Sequence, residues 1–346
     1  MNLSLARHFC AYRCVRYGTL AVLTSVLIAM VPTDSVTAAD KLKMTMNWTA
    51  DSAHLGFAIA QKNGYYADEG LDVELEEGRG SAVAAQMVAT GQADLGYADA
   101  GAVLNVASKG APIKIISTIW KSGQFGIQFL ESSGIREPKD LIGKKLAVPP
   151  GSAMVPLVSV FLKANGIAES DIEIVSAAQN ATLGLLTSGG VDATAETPEN
   201  VVFPLAAQGI KAGNMYFYTN GVPLVSLSLV AREDKLVANP DLYKRFIKAT
   251  LKGWQEAMKS PEAAVDALKE IFPETQNTKD VLMQSASYSF SSVCPGGTGD
   301  AIGVTDAKTW ESIYNVMTTA MEFSADKPVT DYYTLDYLPN PAPTCP

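Results

Sequence analysis

Between Asn47 and Ile116 the chain repeats one pattern: a short apolar extended run, a turn of glycine and polar residues, then a run with helical spacing. Such alternation restricts the fold to the α/β classes, because strands joined through helices lie parallel in a sheet whose two faces the helices cover. Residues 44–48 alternate as a strand should, and 55–62 carry apolar residues at helical spacing until Asn63-Gly64 stops them. Residues 71–75 have the two-residue period of a second strand. Gly78-Arg-Gly80-Ser81 then opens a helix through Met87 with Ser81 expected as its N-cap, and a third strand over 93–97 ends at Asp99. The turns carry the unusual chemistry.

Several motifs ride on this frame. Trp48 precedes His54 and Gly56; Gly64-Tyr65-Tyr66-Ala-Asp-Glu-Gly-Leu-Asp-Val73 follows; then come Gly78-Arg-Gly80-Ser81, Val88-Ala-Thr-Gly-Gln-Ala-Asp-Leu-Gly96 and Gly110-Ala-Pro-Ile-Lys114. Together they resemble the periplasmic substrate-binding proteins of ABC importers for nitrate, sulfonates and thiamine-pyrimidine precursors. Within that group the chain is most similar to the branch named for thiamine-pyrimidine biosynthesis. Ile135-Arg-Glu-Pro-Lys-Asp-Leu141, Gly143-Lys-Lys-Leu146, Gly151-Ser152, Leu162-Lys-Ala-Asn-Gly166 and Asn239-Pro240 extend the resemblance to about residue 270. It implies a two-lobe periplasmic binding protein fold of the α/β class. Each lobe would be a mostly parallel sheet flanked by helices, joined by two crossing strands in a type II-like manner.

Residues 1–38 read as a cleavable export signal: Arg7, Arg13 and Arg16 precede an apolar run from Leu20 to Val31, and Val36-Thr-Ala38 offers a small-residue cleavage site. The apolar run is too short for a stable membrane span. No cysteine follows the cleavage region to carry a lipid, so a freely diffusing periplasmic protein is expected. Residues 1–38 hold three Arg and one Asp, so 24 of 27 basic and 35 of 36 acidic residues remain, a formal charge of −11. That balance argues against nucleic acid, which demands clustered Lys and Arg. Of the four cysteines only Cys294 and Cys345 survive processing, and in an oxidising compartment they are candidates for a disulfide. Two unpaired buried thiols are the alternative.

A second α/β set follows the first, with strands at 145–148, 171–175 and 191–195 and helices at 155–165, 182–188 and 198–208. The apolar segments 125–130 and 225–230 flank it and are the expected crossing strands. Lobe one is accordingly assigned 39–130 plus 225–346, and lobe two 131–224. Helices are expected at 240–258, 263–271, 278–285 and 308–322. No repeat of fixed period is visible in the sequence.

In open α/β sheets a ligand lies beyond the carboxyl ends of the strands, which makes the turns the site candidates. Trp48 ends the first strand, and the resemblance implies an aromatic wall of the cleft there; a core tryptophan is the alternative. His54, the one histidine beyond the signal, either approaches a ligand or caps the following helix. Gly80 and Ser81 let backbone approach a ligand at a helix start, and Ser152 is their counterpart in the second lobe. Asp99 and Glu196 both end strands, where each could cap a helix or accept hydrogen bonds from a ligand. Trp120 is a second aromatic candidate and Asn220 a polar one, whereas Tyr65 and Tyr66 more simply pack a helix on the sheet.

These residues favour a binding protein over an enzyme. A small solute captured between the lobes would close the hinge, and the resemblance implies that the closed form then docks on a membrane permease of the ABC type. Neither a cofactor, a metal nor nucleic acid is expected, and the protein is expected to be a monomer. The nearest enzymatic alternative comes from the resemblance, since fungal relatives make the thiamine pyrimidine with pyridoxal phosphate, an active-site His and an iron-binding Cys cluster. This chain departs from that pattern, with one His and two distant Cys. No Gly-x-Ser-x-Gly motif supports a serine hydrolase, and an extracytoplasmic sensor would need a tether. Trp48, Trp120, Asp99 and Glu196 suit a planar, nitrogen-containing solute such as a pyrimidine or vitamin precursor, because a nearby carboxylate repels a sulfonate or nitrate. Were both carboxylates only caps, a sulfonate or aromatic carboxylate would fit better.

Overall fold

The computed structural model describes residues 38–346 apart from 124, 153, 223–225, 321–322 and 324–325, so all but the last residue of the expected export signal lies outside the described residues. The first sheet uses β1 (Asp40–Thr45), β2 (Leu71–Glu76), β3 (Leu95–Asp99), β4 (Ile113–Thr118) and β10 (Leu227–Arg232). The second uses β5 (Gly126–Leu130), β6 (Lys145–Val148), β7 (Glu173–Ser176), β8 (Ala193–Glu196) and β9 (Ala212–Tyr216). Their orders are β2-β1-β3-β10-β4 and β7-β6-β8-β5-β9.

Both sheets follow one plan. β1 runs parallel to β2 and β3, while β10 is antiparallel to its neighbours β3 and β4. Likewise β6 runs parallel to β7 and β8, while β5 is antiparallel to β8 and β9. Each sheet is therefore mostly parallel with one reversed strand in fourth place. The two lobes repeat a topology that no sequence period announces.

The reversed strand is in each case the first one reached after the chain changes sheet. Segments 125–130 and 225–230, expected to span the lobes as strands, supply β5 and β10, and each strand is paired on both sides inside a single sheet. Their apolar character reflects this central position, where Ile127 and Leu229 are fully buried. Gly126–Leu130 belongs to the second sheet although the sequence division grouped it with the first.

Two glycines set the distance between the first helix and the long helix Pro240–Lys259. A Cβ on Gly56 would fall 2.3 Å from the Trp254 ring, and one on Gly253 would fall 2.2 Å from the Gly56 carbonyl oxygen. With no Cβ at either place the two helices pack backbone to backbone, which fixes Leu55–Lys62 directly behind the turn that carries Trp48. Tyr66, expected to pack its helix on the sheet, is buried against the long helix instead, stacked on Phe246 at 5.4 Å with its hydroxyl 3.0 Å from that of Thr250.

After Lys279–Val293, a longer helix than the sequence indicated, Cys294 forms a disulfide with Cys345. The tail also pairs with the first sheet: the Ile115 N–H donates to the Tyr332 carbonyl and the Thr334 N–H to that of Ile115. No helix among the described residues is long and apolar enough to cross a membrane.

Candidate functional site

A cleft between the two sheets is lined by the loops that follow β1, β2, β6, β7 and β8, and it encloses about 480 Å³ including its open mouth. That placement beyond the carboxyl ends of parallel strands is where open α/β sheets hold ligands.

The first-sheet wall is a turn whose polar groups satisfy one another. Asp51 starts the short turn Ser52–His54, accepting from the Ala53 N–H at 2.8 Å. Its own N–H donates to His54 Nδ1 at 3.2 Å, and His54 Nε2 lies 2.9 Å from Asn47 Oδ1. The loop after β2 zips onto this turn: the Gly78 N–H donates to the Trp48 carbonyl at 3.1 Å and the Gly80 N–H to that of Asn47 at 2.8 Å. A Cβ on Gly78 would lie only 1.7 Å from the Met46 carbonyl oxygen, so glycine is required there. Backbone bonds thus hold Trp48 in place while its side chain remains half-buried at the cleft.

Gly80, at φ +130°, takes the cap position of the next helix, and the helix begins at Ser81 itself. Ser81 is therefore free of the capping role expected of it; its hydroxyl accepts from the Asp99 N–H at 3.0 Å. Asp99 does cap, its Oδ1 accepting from the N–H groups of Gly101 and Ala102 at 2.9 and 3.2 Å. Burial raises the Asp99 carboxyl to about 7 even though these donors favour its charged form.

The second-sheet wall is less satisfied. Gln128 Nε2 donates to the Glu196 carbonyl at 2.9 Å and fixes the end of β8. Glu196 Oε2 accepts from Asn200 Nδ2 at 3.1 Å and from Gln179 Nε2 at 3.5 Å, but its Oε1 has no partner. Neither oxygen of Glu199 makes a hydrogen bond of ordinary geometry, although the Thr197 hydroxyl and its own N–H lie close enough to favour the charge slightly. Both side chains are buried, at 5% and 3% exposure. Burial pushes each carboxyl to about 8, and the Asp51 charge across the cleft adds to the effect. Beneath them the Tyr97 hydroxyl also lacks a partner, and burial, then Asp51 and Glu199, hold that phenol well above its ordinary range.

The two walls meet at two places. A Cβ on Gly80 would lie 2.4 Å from the Gly151 carbonyl oxygen, so the two helix-start turns, expected as counterparts across the cleft, touch. Tyr288 of the helix Lys279–Val293 stacks on Tyr216 of β9 at 6.2 Å and meets Phe203 at 5.9 Å.

Of the residues singled out in the sequence, Trp48, Ser81, Ser152 and Glu196 line the cleft. Gly80, His54 and Asp99 stand behind its wall and shape it. Trp120 does not reach it. Its N–H donates to the Leu227 carbonyl and its own carbonyl accepts from the Ser226 N–H, which prolongs the β4–β10 ladder and commits the fully buried ring to the core, edge-on to Tyr288. Asn220 is also elsewhere: its amide donates to the Tyr216 carbonyl at 2.7 Å and closes the turn after β9.

A family model described as NMT1/THI5 like matches residues 51–264, more than half of the chain. The chain belongs to the NMT1/THI5-like family. It is 23% identical over 286 residues to the formylaminopyrimidine-binding protein of Halalkalibacterium halodurans, covering 80% of this chain and 84% of that one. It is 22% identical over 310 residues to the riboflavin-binding protein RibY of Chloroflexus aurantiacus, covering 86% of each. A 4-amino-5-hydroxymethyl-2-methylpyrimidine phosphate synthase of Aspergillus parasiticus is 24% identical over 249 residues, 68% of this chain and 71% of the enzyme. Among solved structures, the alkanesulfonate-binding protein SsuA of Xanthomonas axonopodis pv. citri superposes with a TM-score of 0.68 at 14% identity, over 86% of this chain and 99% of that one. The fold is that of the periplasmic binding proteins.

Within this NMT1/THI5-like frame, Asn47, Asp51, Gln179, Glu199 and Asn200 are cleft residues that the sequence reading did not single out. Asp51 stood inside the turn already suspected, and Glu199 three residues beyond Glu196 in Glu196-Thr-Pro-Glu-Asn200. The available signal was a second acid in the same strand-end turn.

Proposed function

We propose that this chain is the extracytoplasmic solute-binding component of an ABC importer and that its solute is a small planar ring presenting N–H donors, of the pyrimidine or vitamin-precursor kind. The observation that carries this reading is the pairing of a half-buried Trp48 with a wall of acceptors lacking hydrogen bonds, Glu196 Oε1 and both oxygens of Glu199. A flat ring stacks on the indole while its N–H groups meet those oxygens. Touching both walls, the solute favours the closed arrangement, which a permease would then recognise. Residues 1–38 would deliver the protein to the periplasm. The names of the pyrimidine- and riboflavin-binding relatives agree with this solute class.

Two observations support binding over synthesis. Cys294 and Cys345 are joined to each other, so neither is a free thiolate for iron, and His54 is held between Asp51 and Asn47. A sulfonate or nitrate is disfavoured because it brings no N–H donor to the unpaired Glu196 and Glu199 oxygens and is repelled wherever they are ionised. A thermal-shift screen of the mature chain tests the reading. An aminopyrimidine at 100 times its dissociation constant should stabilise by about 2.7 kcal/mol, and stabilisation by sulfonates or nitrate alone would overturn it.

A further inference from the structure

We propose that the solute of this cleft is a cation: a planar group bearing a positively charged N–C–N face, an amidinium or its ring equivalent. The inference rests on the solute-binding reading and narrows it to one charge. Glu196 and Glu199 share one turn, both are buried, and three of their four carboxyl oxygens have no hydrogen-bond partner. Asp51 brings a third carboxylate from the opposite wall, close enough to act on both. Unlike Glu199 it has a hydrogen-bonded oxygen, with the Ala53 N–H donating to Oδ1 at 2.8 Å.

The described residues that line the cleft include neither Lys nor Arg. A buried carboxylate without a counter-charge is costly, so it is either protonated or neutralised by what binds to it. An anionic solute brings no N–H donor to the bare oxygens and is repelled by each carboxylate that is ionised. A neutral ring supplies N–H donors but leaves the charge uncompensated. An amidinium supplies both, with two parallel N–H groups that match a carboxylate in bidentate fashion. The Trp48 face opposite then gains a cation–π contribution.

Three rings of nearly one shape and different charge test this: benzamidinium, benzamide and benzoate, titrated calorimetrically into the mature chain at pH 7.5, with 4-aminopyrimidine as a neutral ring of the proposed solute class. Benzamidinium is expected to bind at least about tenfold more tightly than benzamide, and benzoate not at all. In the double variant Glu196→Gln, Glu199→Gln the preference of benzamidinium over benzamide should fall below about threefold. These isosteric changes remove charge and keep shape, and a thermal midpoint for each variant confirms that it folds. Equal or tighter binding of benzamide, a preference that survives in the double variant, or no binding of benzamidinium overturns the inference. If 4-aminopyrimidine still binds, only the charge assignment fails and the solute-binding reading stands. If no ring binds and a sulfonate does, both fail.

Discussion

The two walls of the cleft solve opposite problems. On the first-sheet side the turn after β1 satisfies its own polar groups: Asp51 holds Ala53 and His54, and His54 holds Asn47, while Ser81 holds the Asp99 backbone behind it. On the second-sheet side Glu196 and Glu199 leave oxygens unpaired in a buried site. One wall is a finished shape and the other an unfinished set of hydrogen bonds. The difference teaches where binding energy originates, because a pre-satisfied surface orients a ring cheaply while unpaired acceptors reward only a ligand that completes them.

The largest expected effect tests whether the first-sheet wall is a surface or a core. Trp120→Ala empties a fully buried position and should cost about 3–5 kcal/mol of stability, read as a fall in chemical-denaturation midpoint. Trp48→Ala, by contrast, should leave the unliganded midpoint nearly unchanged and weaken the solute by about 100-fold, as loss of a stacking anchor does. Similar stability losses for the two would show that Trp48 is packing rather than a binding face.

Next comes the seam between the walls. Gly80→Ala places a Cβ against the Gly151 carbonyl and strains a backbone at φ +130°, so the two turns must part. Solute affinity should drop about tenfold, equivalent to about 1.4 kcal/mol. The matched control is Gly64→Ala, also at positive φ but with open space around its Cβ, which should leave affinity untouched. Equal losses in both variants would break the idea that the seam sets closure.

The elements were largely legible because periodicity encodes them: the helix over Leu55–Lys62 was delimited by its spacing and by Asn63-Gly64. β9 was not, since Ala212-Gly-Asn-Met-Tyr216 alternates poorly and is mostly half-buried at the edge of its sheet. Trp48 and Trp120 look alike in sequence, each just past a strand end. What separates them is β10, a strand from a distant part of the chain that pairs beside β4 and draws Trp120 inward. Glu199 reads as an ordinary acid near a helix start, and only the closure of one sheet on the other buries it.

A pH dependence that the second wall should dominate separates the two walls by charge. Glu196 and Glu199 rise from 4.5 to about 8, and Asp99 from 3.8 to about 7, mainly through burial. The folded protein therefore retains protons that the unfolded chain releases above about pH 4.5. With more protons bound in the native state, stability falls as pH rises; the contribution is complete below the unfolded values and lost as pH passes through about 8. Without solute, the thermal midpoint should decline from pH 5 to pH 8.5, each kcal/mol being worth about 2–4 °C in a chain of this size class. The double variant Glu196→Gln, Glu199→Gln should flatten most of that decline and raise the midpoint at pH 8.5. Asp51→Asn, on the wall whose carboxylate already has partners, should flatten it less. A decline that the double variant leaves intact, or that Asp51→Asn removes more fully, would erase the distinction between a satisfied wall and an unsatisfied one.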